Sequence, residues 1–333
     1  MRFQHRHASH CESGVMSSLL RHHGLALSEP MAFGLASALA FAYLPFIRLN
    51  GLPLIAYRMP PGAIVRALDR GLALGMRYER FRSPAAGTAR LDALLDQGKV
   101  VGLQTSIYWL PYIPPDLRFH FNAHNLLVYG RDGDEYLVSD PVAEMPVRCA
   151  RSDIEKARFA KGVLAPKGRL YYLTAQPDAG DWASLGRRAL TRTAHIMLHA
   201  PLPLVGVRGI RWLARAVERL RRAEDDAAAM LYVGHIVRMQ EEIGTGGGGF
   251  RFIYAAFLQE LAATTGYGAL EALAARLIEI GDEWQQFAFA SAKMIKRRIA
   301  FEPPALAARL REIAAREQLF FRDLNQARLA WAR

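Results

Sequence analysis

The sequence predicts an α+β protein in two parts, a mixed N-terminal half and an all-α C-terminal half. Strand-like and helix-like patterns alternate up to about Leu173. A turn-forming stretch, Gln176-Pro177-Asp178-Ala179-Gly180, then interrupts them. Beyond it nearly every segment repeats its apolar residues at helical spacing. The 333 residues suffice for two modest domains, each with its own core, expected at 1–176 and 181–333.

Taken in order, Ser9-His10-Cys11-Glu12 has the S-x-x-E form of a capping box, with Ser9 as the cap and Glu12 reaching back. Val15, Met16, Leu19 and Leu20 share one face of the helix so started, and Gly24 ends it as a left-handed cap. Ser28-Glu29-Pro30 opens a second helix by the same rules. Pro30 to Ile47 is an uncharged run of 18 residues containing Gly34 and Pro45, read as a buried helix rather than a membrane span. Residues 99–108 read as a strand. His124–Gly130 and Glu135–Ser139 form two more, joined by the hairpin signal Arg131-Asp132-Gly133-Asp134. In the second half helices are expected over 182–197, 207–223, 227–242, 250–265, 269–280, 282–298 and 304–332.

Composition narrows the function. Two cysteines, Cys11 and Cys149, imply no disulfide framework and fit a reducing, cytoplasmic setting. The N-terminus lacks the pattern of a secretory signal. A net charge of +12 points to an acidic partner or surface. Between Arg187 and Arg222 there are nine arginines and one acid, Glu218. Arg208, Arg211, Arg215, Arg219 and Arg222 fall on one helical face, with Ile210, Leu213, Val217 and Leu220 on another. Such a helix suits an acidic protein or an anionic membrane surface. No nucleic-acid-binding motif accompanies it, so nucleic acid is not expected.

Cys11 is the candidate nucleophile, since the first turn of a helix offers unpaired N–H groups and a positive dipole end that favour a thiolate. A base and a group that orients it are also required. His124 opens one hairpin strand and Asp140 closes the other. With a three-residue loop, opposing residue numbers sum to 266 and the two side chains share a sheet face, diagonally two places apart. A plain two-residue turn puts them on opposite faces, so a longer loop or a bulge is expected. The order Cys, His, Asp then matches the general logic of a catalytic triad.

His10-Cys11-Glu12-Ser13-Gly14-Val15, Phe33-Gly34-Leu35, Phe41-Ala42-Tyr43 and the His124/Asp140 hairpin resemble the N-terminal domain of the butirosin biosynthesis protein H family. Gly244–Arg251 and the Phe257-Leu258 region resemble the uncharacterised helical domain that often follows it. The resemblance implies a papain-like fold used for acyl transfer. Cys11 would take an acyl group from an acidic acyl carrier protein, His124 would move the proton and Asp140 would hold the imidazole. A small-molecule amine would then attack the acyl-enzyme. No cofactor is implied beyond the donor's phosphopantetheine arm. A cysteine peptidase or amidase would use the same residues, with water as acceptor.

The sequence departs from the family in having Ala36-Ser37-Ala38 where a glycine-rich stretch is usual. At the place of the usual oxyanion glutamine it has His5, with Gln4 one residue earlier, and both are candidates. Phe33, Tyr43, Phe250 and Arg251 are the expected substrate-pocket residues, and the arginine face the expected carrier-docking surface. Gly244–Gly249 matches G-x-G-x-x-G, yet no strand precedes it, and a close-packed turn between helices is expected. The spacing of His5, His7, His10 and Cys11 fits no standard zinc site, and no metal is expected.

Overall fold

The computed structural model describes residues 3–49, 51–178, 180–220 and 226–331. In chain order its elements are α1 (Cys11–His22), α2 (Glu29–Leu35), β1 (Leu39–Leu49), β2 (Leu52–Arg58), α3 (Ala63–Gly71), β3 (Arg77–Glu79), α4 (Pro84–Asp96), β4 (Val101–Thr105), β5 (His124–Asp132), β6 (Glu135–Ser139), β7 (Val147–Ala150), α5 (Arg151–Arg158), β8 (Leu170–Tyr172), α6 (Trp182–His199), α7 (Gly206–Arg219), α8 (Asp226–Glu241), α9 (Arg251–Thr265), α10 (Ala269–Ile295) and α11 (Pro303–Trp331). Two compact units result, Met1–Ala32 with Pro61–Gly180, and Phe33–Pro60 with Asp181–Arg333. The expected division at 1–176 and 181–333 is therefore corrected. Residues 33–60 group with the helical unit.

The first unit is built on a six-stranded antiparallel sheet of order β3-β8-β4-β5-β6-β7. β4 is buried at every position and β5 over its first five, which explains why both read as apolar runs without alternation. Leu91, Leu94, Ile154 and Ala157 of α4 and α5 share a core with Leu103, Leu126, Val128 and Val138 of the sheet. The first ten residues of α1 are buried, and the helix packs against β5 and α3.

The cap of α1 differs from the expectation. His10, not Ser9, occupies the cap position, and its Nδ1 accepts the Ser13 N–H at 3.3 Å. Glu12 does not turn back, because it serves a different helix. Its carboxylate is fully buried and accepts the backbone N–H groups of Gly62 (3.0 Å), Ile64 (2.9 Å) and Val65 (3.2 Å) at the start of α3. Those donors have no partner within α3. Glu12→Ala is expected to destabilise the first unit by about 3 kcal/mol or more, since each buried N–H left unpaired costs about 1–3 kcal/mol. Glu12→Gln keeps an acceptor and should lose less. Urea unfolding of the two variants checks the order.

The uncharged run 30–47 is not one helix. It splits into α2 and β1, and β1 pairs with β2 in a hairpin closed at Leu49↔Leu52. Between the two strands the sequence reads Asn50-Gly51, a local hairpin signal. Among the described residues no helix is long and apolar enough to cross a membrane.

In the second unit the hairpin packs with the helices. Tyr43 N–H donates to Leu204 O at 2.9 Å, and Ala42 bridges Val205. Gly34 is required where it stands, because a Cβ there would lie 1.9 Å from the Phe257 ring. Gly244–Gly249 forms the tight turn between α8 and α9, and a Cβ on Gly249 would lie 2.3 Å from Tyr57. The helices expected at 269–280 and 282–298 are a single α10. Gly281 does not stop it. A Cβ at that position would come within 2.6 Å of Phe252, so the glycine serves close packing.

Candidate active site

Three backbone devices bring the candidate nucleophile, base and acid together. The first is the hairpin β5–β6. Asp132 pairs Glu135 across a two-residue turn, and the register then shifts between Val128 and Gly130, so that Val128 faces Val138 and Leu127 faces Ser139. The turn is thus shorter than the expected loop, and a bulge at Tyr129 restores the register that puts His124 and Asp140 on one face. The Tyr129 ring stacks on Phe3, with centroids 4.7 Å apart.

The second device is the segment before Cys11, which runs along the acid strand. Ala8 N–H donates to Pro141 O at 2.7 Å. His5 Nε2–H donates to Ala143 O at 3.0 Å, which leaves Nδ1 to accept the Ser139 hydroxyl at 2.8 Å. The third is Gly14. A Cβ there would lie 2.6 Å from Ala8 and 2.7 Å from Pro141, so only glycine lets α1 close on the Asp140-Pro141 corner. From the other side the Glu29 carboxylate accepts Ser9 N–H at 3.0 Å and His10 N–H at 2.7 Å. Burial pushes its carboxyl up, against the lowering effect of those bonds.

Cys11 is the first residue of α1 and is buried. His124 Nε2–H donates to Asp140 Oδ2 at 2.7 Å, and the Cys11 side chain lies beside the same imidazole. Burial works against a charge on His124. The Asp140 carboxylate, its hydrogen bond and the contact with Cys11 outweigh it and push the imidazole up to about 10. A protonated imidazole beside a sulfur is the arrangement of an activated cysteine nucleophile. Cys149 is the contrast. It sits in the sheet core on β7, and burial, with Asp153 and Glu135 nearby, pushes its thiol up to about 12.

Asp140 is fully buried and its carboxylate is fully used. Oδ2 also accepts the Tyr112 hydroxyl at 2.8 Å, and Oδ1 accepts Val142 N–H at 3.1 Å. Nothing in the spacing of Tyr112-Ile113-Pro114 marks this tyrosine, so sequence reasoning missed it. Tyr112→Phe leaves His124 as the sole donor to that oxygen. Turnover should fall a few-fold, for the loss of about 1 kcal/mol of hydrogen bonding, and the alkaline limb of the pH profile should move upward. Steady-state rates across pH check both.

The remaining expected site residues lie elsewhere. Gln4 is exposed, and both ring nitrogens of His5 are committed to Ser139 and Ala143, so its N–H is not free to bind an oxyanion. Phe33, Tyr43, Phe250 and Arg251 are corrected from pocket lining to core of the second unit. The Phe33 and Phe250 rings stack at 5.1 Å, and Tyr43 Oη accepts the Tyr232 hydroxyl at 2.8 Å. Arg251 is fully buried, with Nε 2.8 Å from Glu317 Oε1 and Nη1 2.6 Å from Gly249 O.

On α7, Val207, Ile210, Leu213 and Val217 are buried, whereas Arg208, Arg215 and Arg219 are exposed. Arg211 is half-buried and donates to Gln318. Arg222 lies outside the described residues.

A thiol at a helix N-terminus, set against an imidazole and a carboxylate carried by adjoining antiparallel strands, defines a papain-like cysteine enzyme. The family model for the N-terminal domain of butirosin biosynthesis protein H matches residues 10–141. A second model, described as a domain of unknown function, DUF4872, matches residues 152–324. The chain belongs to the DUF4872 family, with that domain following a butirosin biosynthesis protein H-like N-terminal domain. No curated protein matches it. A solved structure described as a C39-like peptidase from Bacillus anthracis is similar over 53% of this chain and 96% of its own, at 13% identity and a TM-score of 0.38.

Proposed function

We propose that the protein is an acyltransferase that carries an acyl group from a carrier-protein thioester, through Cys11, to the amine of a small molecule in secondary-metabolite or lipid biosynthesis. The observation that carries this reading is the buried Cys11–His124–Asp140 group on a butirosin biosynthesis protein H-type domain. Cys11 sulfur attacks the thioester carbonyl, and the tetrahedral oxyanion is stabilised by the Cys11 backbone N–H at the start of α1. Collapse expels the donor thiolate, which takes a proton from the His124 imidazolium. Neutral His124 then accepts a proton from the incoming amine as nitrogen attacks the acyl-enzyme. Collapse of the second intermediate releases the amide and restores the Cys11 thiolate beside a protonated imidazole. Asp140 holds the ring with Nε2–H directed at its own carboxylate throughout.

The exposed Arg208, Arg215 and Arg219 of α7, with Arg211 at their edge, support docking of an acidic carrier protein. Such docking would weaken as salt rises.

The reading is tested by isolating the acyl-enzyme and adding either buffer or a set of amines. A transferase keeps the acyl group on Cys11 in buffer and releases it as an amide when the right amine is present. Rapid release as free acid in buffer alone would assign the protein to the peptidase or amidase class.

A further inference from the structure

Within the first unit a cavity of about 340 Å³ is lined by Pro61, Arg66, Arg80, Gln104, Lys167 and Arg169, among others. Four of its side chains are cationic and no carboxylate lines it. Among the described residues Arg66, Arg80, Lys167 and Arg169 form no ion pair. Like charges gathered in a concave site repel one another, and a bound anion relieves that repulsion. Burial, with Arg80 and Arg66 alongside, lowers the Arg169 guanidinium from its ordinary value, against the opposing influence of Tyr171 and Glu12.

The cavity wall is built. Arg169 Nη1–H donates to Gln104 Oε1 at 2.7 Å, so a buried amide fixes the guanidinium. The Gln104 amide NH2 donates to Asn122 O at 2.9 Å and Leu164 O at 3.1 Å, and that of Asn122 donates to Lys161 O at 3.1 Å and Val163 O at 2.8 Å. The loop they hold contains Leu164 (φ 58°) and Lys167 (φ 54°), two non-glycine residues in the left-handed region. Such backbone strain persists where surrounding structure enforces it, often at ligand sites.

The cavity wall is linked to the catalytic group along the chain at two points. Gln104 precedes Thr105, the register partner of His124. Glu12, next to Cys11, binds the N–H of Gly62, next to Pro61. The Glu12 carboxylate also occupies the N-terminal N–H groups of α3, so anion binding in the cavity falls to the four cations.

We propose that this cavity is a phosphate-binding subsite, in which Arg66, Arg80, Lys167 and Arg169 hold the phosphate of a substrate whose reacting end reaches Cys11. The proposal rests on the acyl-transfer reading only for the identity of that substrate, the phosphopantetheine arm of the donor being the phosphate-bearing group already required there. Guanidinium groups suit such a ligand because they present paired donors to phosphate oxygens.

The test is isothermal titration of the full chain, at low ionic strength, with inorganic phosphate, phosphopantetheine and pantetheine. Saturable phosphate binding, weakened about tenfold or more in Arg66→Ala and Arg80→Ala, is the expected result, because each variant loses charge-assisted hydrogen bonds to the phosphate oxygens. Phosphopantetheine binding more tightly than both pantetheine and phosphate assigns the subsite to the donor arm. Phosphopantetheine binding no tighter than phosphate assigns it to a phosphate on the acyl group or acceptor. Absence of saturable phosphate binding, or equal binding by wild type and both variants, overturns the proposal. Acylation of Cys11 by a short phosphate-free thioester is measured in parallel on the wild-type protein. Its failure there would count against acyl transfer and leave the titration result standing.

Discussion

His124→Ala is expected to lower turnover by about 10²–10⁴-fold, the range for removal of a positioned acid–base group. The residual rate should also lose its alkaline limb. In the native protein the limb follows the raised His124 imidazole. Because the folded imidazole is raised from 6.5 to about 10, its contribution to stability is complete below pH 6.5 and is lost as pH rises through about 10. His124→Ala should therefore flatten the pH dependence of unfolding in that window as well as the rate. Asp140→Asn separates charge from geometry. It keeps a polar neighbour at Nε2 but removes the carboxylate that raises the imidazole, so the alkaline limb should move down. Stopped-flow rates and urea unfolding, each taken across pH, check these outcomes together.

Glu317→Gln is expected to cost about 3–5 kcal/mol of stability, the loss typical of removing one partner from a buried ion pair. Its carboxylate is fully buried, with Oε1 2.7 Å from Arg251 Nη2 and 2.8 Å from the Trp284 indole nitrogen. The guanidinium lies 5.7 Å from the centre of the Tyr57 ring and 5.2 Å from that of Trp284, leaving it no route to water. An apolar pair at both positions should recover much of the loss, because replacing the whole pair removes the unpaired charge. Trp284 fluorescence during urea unfolding reads both variants. A Glu317→Gln protein as stable as wild type would contradict the ion-pair account of Arg251.

These two sites also mark how far the sequence could be read. The order Cys11, His124, Asp140 was visible because a helix start and a hairpin each have local signatures. Parity even required a bulge or longer loop, although the signal at Asp132-Gly133 could not tell which, since Tyr129 looks like any strand residue. The cap of α1 was misread because Glu12 obeys a contact fifty residues away, and a capping box is a local rule. Arg251 sat in a family-like motif and was expected to line a pocket. Its partner, Glu317, lies in another helix with no pattern to connect them. The 30–47 run misled for a related reason. An apolar stretch without charge has no period that separates buried helix from buried strand, and the Asn50-Gly51 dipeptide in the sequence beside it was the better guide. Tyr112 and the cationic cavity were invisible because each is assembled from segments far apart in the chain.

The central claim, covalent acyl transfer through Cys11, is tested most directly by intact-protein mass spectrometry after incubation with a panel of acyl carrier protein thioesters. Wild type should gain the mass of one acyl group, His124→Ala should gain it far more slowly, and Cys11→Ala should gain none. No adduct and no thioester consumption across the panel would contradict the account, as would an adduct that persists in Cys11→Ala.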